Sequence, residues 1–156
     1  MVLALSRAVR ADAIAHDGTA AGKIREELLA QGGARAQFMV VPFWYVWAPK
    51  QDMLKYHPPQ PGFSSYYSLD KTRSLALMVA AVQNKQVRLP EWKSAEHLLS
   101  DLLALGEDYR EEKGVRQPMR IITRMGAKSD DMAHSVNFCA QAIWYMSKRM
   151  PDLVGV

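Results

Sequence analysis

The stretch Ala11–Val41, ADAIAHDGTAAGKIREELLAQGGARAQFMVV, decides how the chain is read. Its opening ADAIAHD is a short apolar run ended by Gly18, the pattern of a buried strand. Thr19–Gln31 follows with Ala21, Ile24 and Leu28 on one helical face, and Gly32-Gly33 is suited to close that helix. Ala36–Val41, AQFMVV, is almost continuously apolar, as expected of a strand covered on both faces. Strand, helix and strand within about thirty residues predict a βαβ unit, and with it a parallel sheet.

Working outward, Met1–Arg10 has the look of a helix tail that starts without a cap, as though something should precede it. Pro42–Ser65 carries Phe43, Trp44, Tyr45 and Trp47, then four prolines from Pro49 to Pro61. We read it as a long, proline-stiffened surface loop or hairpin, a kind of segment that is usually functional. Tyr66–Leu69 predicts a short strand, and Asp70 caps a helix running to about Asn84 with Leu75, Val79 and Val82 inward. Val87–Pro90 is a brief extended piece. Ser94–Glu112 predicts an amphipathic helix with Leu98, Leu102, Leu105 and Tyr109 on one face, ended by Gly114. Met119–Arg124 alternates as a strand, and Gly126 leads into a closing helix. In that helix, SDDMAHSVNFCAQAIWY (Ser129–Tyr145), the apolar stripe Met132, Val136, Cys139, Ile143 and Met146 marks the expected inner face. Asp130 and Asp131 stand at its mouth, and Lys148 and Arg149 suit the dipole at its far end.

The 156 residues suffice for a single domain spanning 1–156, with its core over about residues 10–147. Apolar residues make up 49% and charged residues 23%, a globular rather than a disordered balance. A formal charge of +4 inclines the chain toward a polyanionic partner. Cys139, the single cysteine, excludes an intramolecular disulfide and a structural zinc knot, and its expected role is a small buried hydrophobe. No stretch matches a signal peptide or a membrane span, so the expectation is a cytoplasmic protein, in the host cytoplasm if phage or prophage encoded, with no membrane partner.

Each candidate site has a plain structural alternative. Asp17-Gly18 at a strand end is well placed for chemistry in a parallel sheet, or is simply a turn with a capping acid. Asp130 and Asp131 are metal ligands on a rigid element, or a cap and a dipole-friendly neighbour. Gly18-Thr19-Ala20-Ala21-Gly22-Lys23 falls short of a P-loop: three residues rather than four separate its glycines, and Ile24 stands where Ser or Thr is required. His16, His57, His97 and His134 show no metal-ligand spacing. Phe43–Trp47 near Lys50 and Lys55 is a packed loop or a base-stacking platform.

Three separated phrases, AIAHDGTAAGKIREELLAQGG (Ala13–Gly33), YSLDKTRSLALMVAAVQNKQVRLPEW (Tyr67–Trp92) and IITRMGAKSDDMAHSVNFC (Ile121–Cys139), shift that balance. Together they resemble the C-terminal nuclease domain of tailed-bacteriophage large terminase subunits, the DNA-packaging motors. The resemblance implies an α/β, RNase H-like fold, here incomplete, with a mixed, largely parallel sheet flanked by helices. It implies a metal-dependent endonuclease that cuts double-stranded DNA with Mg2+ or Mn2+. Asp17 resembles the family's second carboxylate, and Asp130 or Asp131 its last; all three are the implied catalytic and metal-binding residues. Two ions roughly 3.5–4 Å apart need rigid, oxygen-rich ligands of this kind. Lys71, Arg73 and Arg88, in the DKTRS and VRLP phrases, are the expected phosphate contacts. Implied partners are double-stranded DNA, the terminase ATPase domain or subunit, the portal and the small terminase. The match also departs from the family. The Walker motifs and the opening strands with the first carboxylate are missing, and Asp12, an odd separation from Asp17, would face the opposite side of the strand. The alternative is therefore a catalytically inactive fragment that serves as a DNA- or packaging-protein-binding module.

Overall fold

The structure, a computed structural model, describes residues 10–18, 38–47, 51–61, 64–88, 91–111, 119–127 and 129–148. The expected helices Met1–Arg10 (through residue 9) and Thr19–Gln31 lie outside the described residues, as do Gly114 and residues 89 and 90 of the Val87–Pro90 piece. In chain order the elements are β1 (Ala13–Asp17), β2 (Met39–Val46), β3 (Leu54–His57), β4 (Tyr66–Asp70), α1 (Lys71–Gln83), α2 (Trp92–Leu103), β5 (Leu105–Arg110), β6 (Met119–Arg124) and α3 (Asp131–Ser147). The class is α/β. A mixed four-stranded sheet of order β1-β2-β4-β3 is flanked by helices, and β5 and β6 form a separate antiparallel pair.

β1 and β2 are parallel neighbours, in register from Ala13 opposite Met39 to Asp17 opposite Phe43, as the strand–helix–strand pattern requires. β4 lies parallel on the other side of β2, and β3 closes the edge antiparallel to β4. The aromatic phrase is therefore not a surface loop: β2 continues through Pro42 to Val46, and Phe43 is fully buried. Pro42 is tolerated there for a geometric reason. The carbonyl of Phe43 accepts from the Gly18 N–H on the β1 side, so the nitrogen of the preceding residue points toward β4. Pairing with β4 begins only at Phe43, and the missing N–H breaks no rung of the ladder.

α1 forms as expected. Asp70 accepts the Arg73 N–H at 2.8 Å as N-cap, and Leu75, Leu77, Met78 and Ala81 are buried along the helix. One side of α1 joins the sheet through Leu77 and Ala81, and the other packs Leu75 and Met78 on Ile122 of β6. The segment after α2 departs from expectation. The helix stops at Leu103, and residues 105–110 pair as β5 with β6, leaving Tyr109 largely exposed. Gly106, a poor helix former, sits inside that strand, where a Cβ would run into the Met125 side chain. A non-local pairing has overridden the local helical period.

α3 lies on the sheet face that carries Val41 and Phe43, with the Phe138 ring stacked 5.5 Å from Phe43. Its buried face is Ala133, Asn137, Phe138, Ala140, Gln141, Ala142 and Trp144. The expected stripe is turned outward: Met132, Cys139, Ile143 and Met146 are exposed and Val136 is half-buried. Three alanines let the helix backbone approach the sheet, and Asn137 and Gln141 find polar partners there, so burial follows shape and hydrogen bonding rather than hydrophobicity alone.

Candidate functional site

At the carboxyl ends of β1, β2 and β4, residues from distant parts of the chain meet around the Tyr45 hydroxyl. Alternation along β1 puts Asp17 on the same face as Ala13 and Ala15, which pack into the core beneath α3. Tyr45, two residues beyond Phe43 on β2, faces the same way and packs against Phe138 at 4.8 Å between centroids. Nδ1 of His134 lies 3.0 Å from the Tyr45 oxygen, and Nε2 of His134 lies 2.9 Å from Oδ2 of Asp130.

The proton arrangement follows from the partners. An ionised Asp130 only accepts, so Nε2 of His134 carries the hydrogen and Nδ1 is left as an acceptor. The Tyr45 hydroxyl then donates to Nδ1 and accepts from Nδ2 of Asn137 at 3.0 Å. Asn137 Nδ2 also donates to Ser74 Oγ at 3.0 Å, Ser74 Oγ donates to the Lys71 carbonyl, and Gln141 Nε2 donates to Asn137 Oδ1. The line of side chains from Asp130 to Gln141 closes with a neutral imidazole. Burial and the nearby Lys71 charge push the His134 pKa down, against the opposing pull of Asp130 and Asp131, which favours that neutral form. Burial pushes the Tyr45 hydroxyl well above the ordinary phenol range. Asn137 opposes that rise, and the negative charges of Asp17 and Asp130 add to it. Both carboxylates thus lie within electrostatic reach of one hydroxyl, although the sequence separates them by most of its length. Lys71, the first residue of α1, holds its ammonium 5.6 Å from the centre of the Tyr45 ring.

The two adjacent acids have different surroundings. Asp130 occupies the N-cap position of α3, yet its side chain makes no cap bond; it turns to His134 and is 13% exposed. The helix is capped instead by Ser129 Oγ, which accepts the Asp131 N–H, and by Asp101 of α2, which accepts the Met132 N–H at 2.9 Å. Asp131 is exposed and accepts from Ser129 Oγ, while its charge still reaches His134. Among the described residues, no group of three or more His, Cys, Asp or Glu side chains gathers closely enough to hold a metal ion. Asp17 and Asp130 offer the hard oxygen donors that suit one Mg2+ or Mn2+, a kind of ion that commonly takes one or two carboxylates and keeps much of its water.

The basic residues separate. Lys71 is at the site, and Arg73, two residues on, is half-buried and donates from Nη1 to the Gln51 carbonyl at 2.7 Å. Arg88 is exposed beyond the opposite end of α1, about 20 Å away along a thirteen-residue helix. Sequence reasoning passed over Tyr45, His134, Asn137 and Ser74. The one legible signal was the four-residue step from Asp130 to His134, which puts both on one face of a helix. Comparison of the chain with protein-family models, with curated proteins and with solved structures finds no match. No helix among the described residues is long and apolar enough to cross a membrane.

Proposed function

We propose that the chain is the metal-dependent endonuclease part of a phage DNA-packaging terminase large subunit, with an RNase H-like sheet. It acts on double-stranded DNA with Mg2+ or Mn2+ held by Asp17 and Asp130. What supports this reading is that Asp17, at the end of β1, and Asp130, beside the start of α3, both lie within electrostatic reach of the Tyr45 hydroxyl, at the strand ends where α/β sheets place their ligands. Asp131, at the rim, supplies negative charge to the same place. The bound ion would neutralise phosphate charge and lower the pKa of a water molecule. The protein's own part is to hold the carboxylates rigidly, from a strand end and a helix start, and to place the Lys71 cation beside them.

A second reading, an inactive module that binds DNA or packaging proteins, is favoured by one specific observation. Among the described residues no group of three or more His, Cys, Asp or Glu side chains gathers closely enough to hold a metal ion, which falls short of a two-ion centre. One pair of measurements separates the readings. Mn2+ should raise the thermal midpoint of the unaltered chain and leave Asp17→Asn unmoved, because a ligand that binds only the folded state stabilises it. Plasmid nicking that needs Mn2+ and is lost in Asp17→Asn establishes the enzyme. A metal response without nicking establishes the binding module. No thermal response to either ion removes the site.

A further inference from the structure

We infer that the outward face of α3 pairs with the same face of a second copy of this chain, the two helices running antiparallel about a two-fold axis beside Cys139. Met132, Val136, Cys139, Ile143 and Met146 recur at spacings of four, three, four and three residues, which keeps them in one narrow arc of the helix. The face buried against the rest of the chain lies on the other side, so this line meets solvent. Met132 is 44% exposed, Ile143 58% and Met146 39%, and Cys139 is exposed between them. A helix face left in water ordinarily carries charged side chains. Here no Asp, Glu, Lys or Arg stands between Asp131 and Lys148. The stripe also runs on at Met146 into an apolar groove lined by Met39, Leu54 and Tyr145. A continuous apolar strip of this kind marks an interaction surface.

Two features select a second copy as the occupant. The first is symmetry. Met132 and Met146 each lie seven residues from Cys139, and Val136 and Ile143 lie three and four residues to either side, so the line reads nearly the same from both ends. A two-fold interface requires a self-complementary surface of that kind. The second is charge. Asp131 and Lys148, both exposed, stand at opposite ends of the stripe. Antiparallel pairing brings Asp131 of each copy beside Lys148 of the other and opposes the helix dipoles, whereas a parallel pair would set like charges together. Met132 of one copy then arrives at Met146 and the groove of the other, where a long, flexible thioether suits an irregular apolar space. A pair of 17-residue helices lies at the small end of specific interfaces, so the expected association is in the micromolar range. None of this depends on a metal ion.

Sedimentation equilibrium of the full chain across the micromolar range, at low salt, tests the pairing. The unaltered chain should pass from monomer to dimer with rising concentration. Ile143→Glu changes a side chain already in water, so the circular dichroism spectrum should be unaltered while the dimer dissociation constant rises about tenfold or more, because the substitution counts twice in a two-fold pair. Asp131→Lys and Lys148→Asp should each weaken association, and an equimolar mixture of the two variants should recover it. Only an antiparallel pair sets position 131 of one copy against position 148 of the other. Because Cys139 is the single cysteine, diamide oxidation should give one disulfide-linked dimer, and Ile143→Glu should suppress it. A chain that stays monomeric throughout overturns the proposal. So does a dimer that Ile143→Glu leaves intact, which would place the interface on another face, and so does a mixture of the charge variants that associates no better than either alone.

Discussion

Gly18 shows how much one residue can decide beside a candidate site. It follows Asp17, is buried, and donates its N–H to the Phe43 carbonyl at 2.8 Å. A Cβ built on it would lie 2.1 Å from Nε1 of Trp44, so the indole lies flat against this backbone because nothing projects from it. Trp44 cannot retreat easily. It stacks on Tyr66 at 4.5 Å, and Tyr66 stacks on His57 at 4.5 Å, a row of rings across β2, β4 and β3. Gly18→Ala should therefore cost about 1–3 kcal/mol, as overpacking of a filled interior does. Gly106→Ala provides the control. The side chain it would meet is Met125, exposed and free to rotate, and the change should stay within about 0.5 kcal/mol. Urea denaturation of both variants decides the matter, and equal costs would show that the ring stack yields. Asp17-Gly18 was legible as a strand end with a breaker. That the glycine is required by an indole twenty-six residues later was not.

At the scale of elements, α3 depends on α2. The buried carboxylate of Asp101 accepts the Met132 N–H, a capping bond supplied from another helix, while the residue in the N-cap position points elsewhere. Local reasoning assigns the cap to Asp130 because Asp is a strong N-cap and precedes the helical period. The exchange of roles is invisible without the packing of α2 on α3. Asp101→Ala should lower stability by about 1–2 kcal/mol through loss of that bond, and Asp101→Asn, which keeps an acceptor oxygen, should recover most of it. Chemical denaturation midpoints measure both. An unchanged midpoint in Asp101→Ala, with a loss of that size in Asp130→Ala instead, would mean that the cap has been assigned to the wrong acid. The rotation of α3 about its axis has the same origin. Met132, Ile143 and Met146 are the more hydrophobic residues, yet Ala133, Ala140 and Ala142 are the ones buried. Small side chains permit close approach, and the Asn137 and Gln141 amides fit only where Ser74 and Tyr45 receive them.

At the scale of the molecule, two of the basic residues singled out by the sequence stand at opposite ends of α1. Lys71 stands at the carboxyl edge of the sheet beside Tyr45, whereas Arg88 is beyond the far end of α1. If DNA crosses that edge, the two should behave differently. Lys71→Ala should weaken double-stranded DNA binding and reduce the slope of log affinity against log salt by about 1, with no dependence on sequence. Arg88→Ala should leave both unchanged. Fluorescence anisotropy over a salt series measures the slopes, and an equal loss from the two variants would place the DNA along α1 instead. The same survey tests Arg73, whose bond to the Gln51 carbonyl ties the start of α1 to the segment before β3.

The sequence by itself determined the features that local chemistry can enforce. These are the parallel pair β1–β2, the strand ending in Asp70, the helix that Asp70 caps, strand β6, and the start of α3 behind two acids. Each rests on a period, a breaker or a cap within a few residues. Only the tertiary structure decided the rest: the extension of β2 through Pro42, the strand β5, the buried face of α3, and the joining of Asp130, His134 and Tyr45. The physical reason is common to all four. A proline is harmless only where no neighbouring strand needs its N–H, a helical pattern gives way to a strand only when β6 offers a partner, and the Asn137 amide and the Tyr45 hydroxyl are placed between sheet and helix because distant groups supply hydrogen-bond partners there. None of those partners is written in the segment that depends on it.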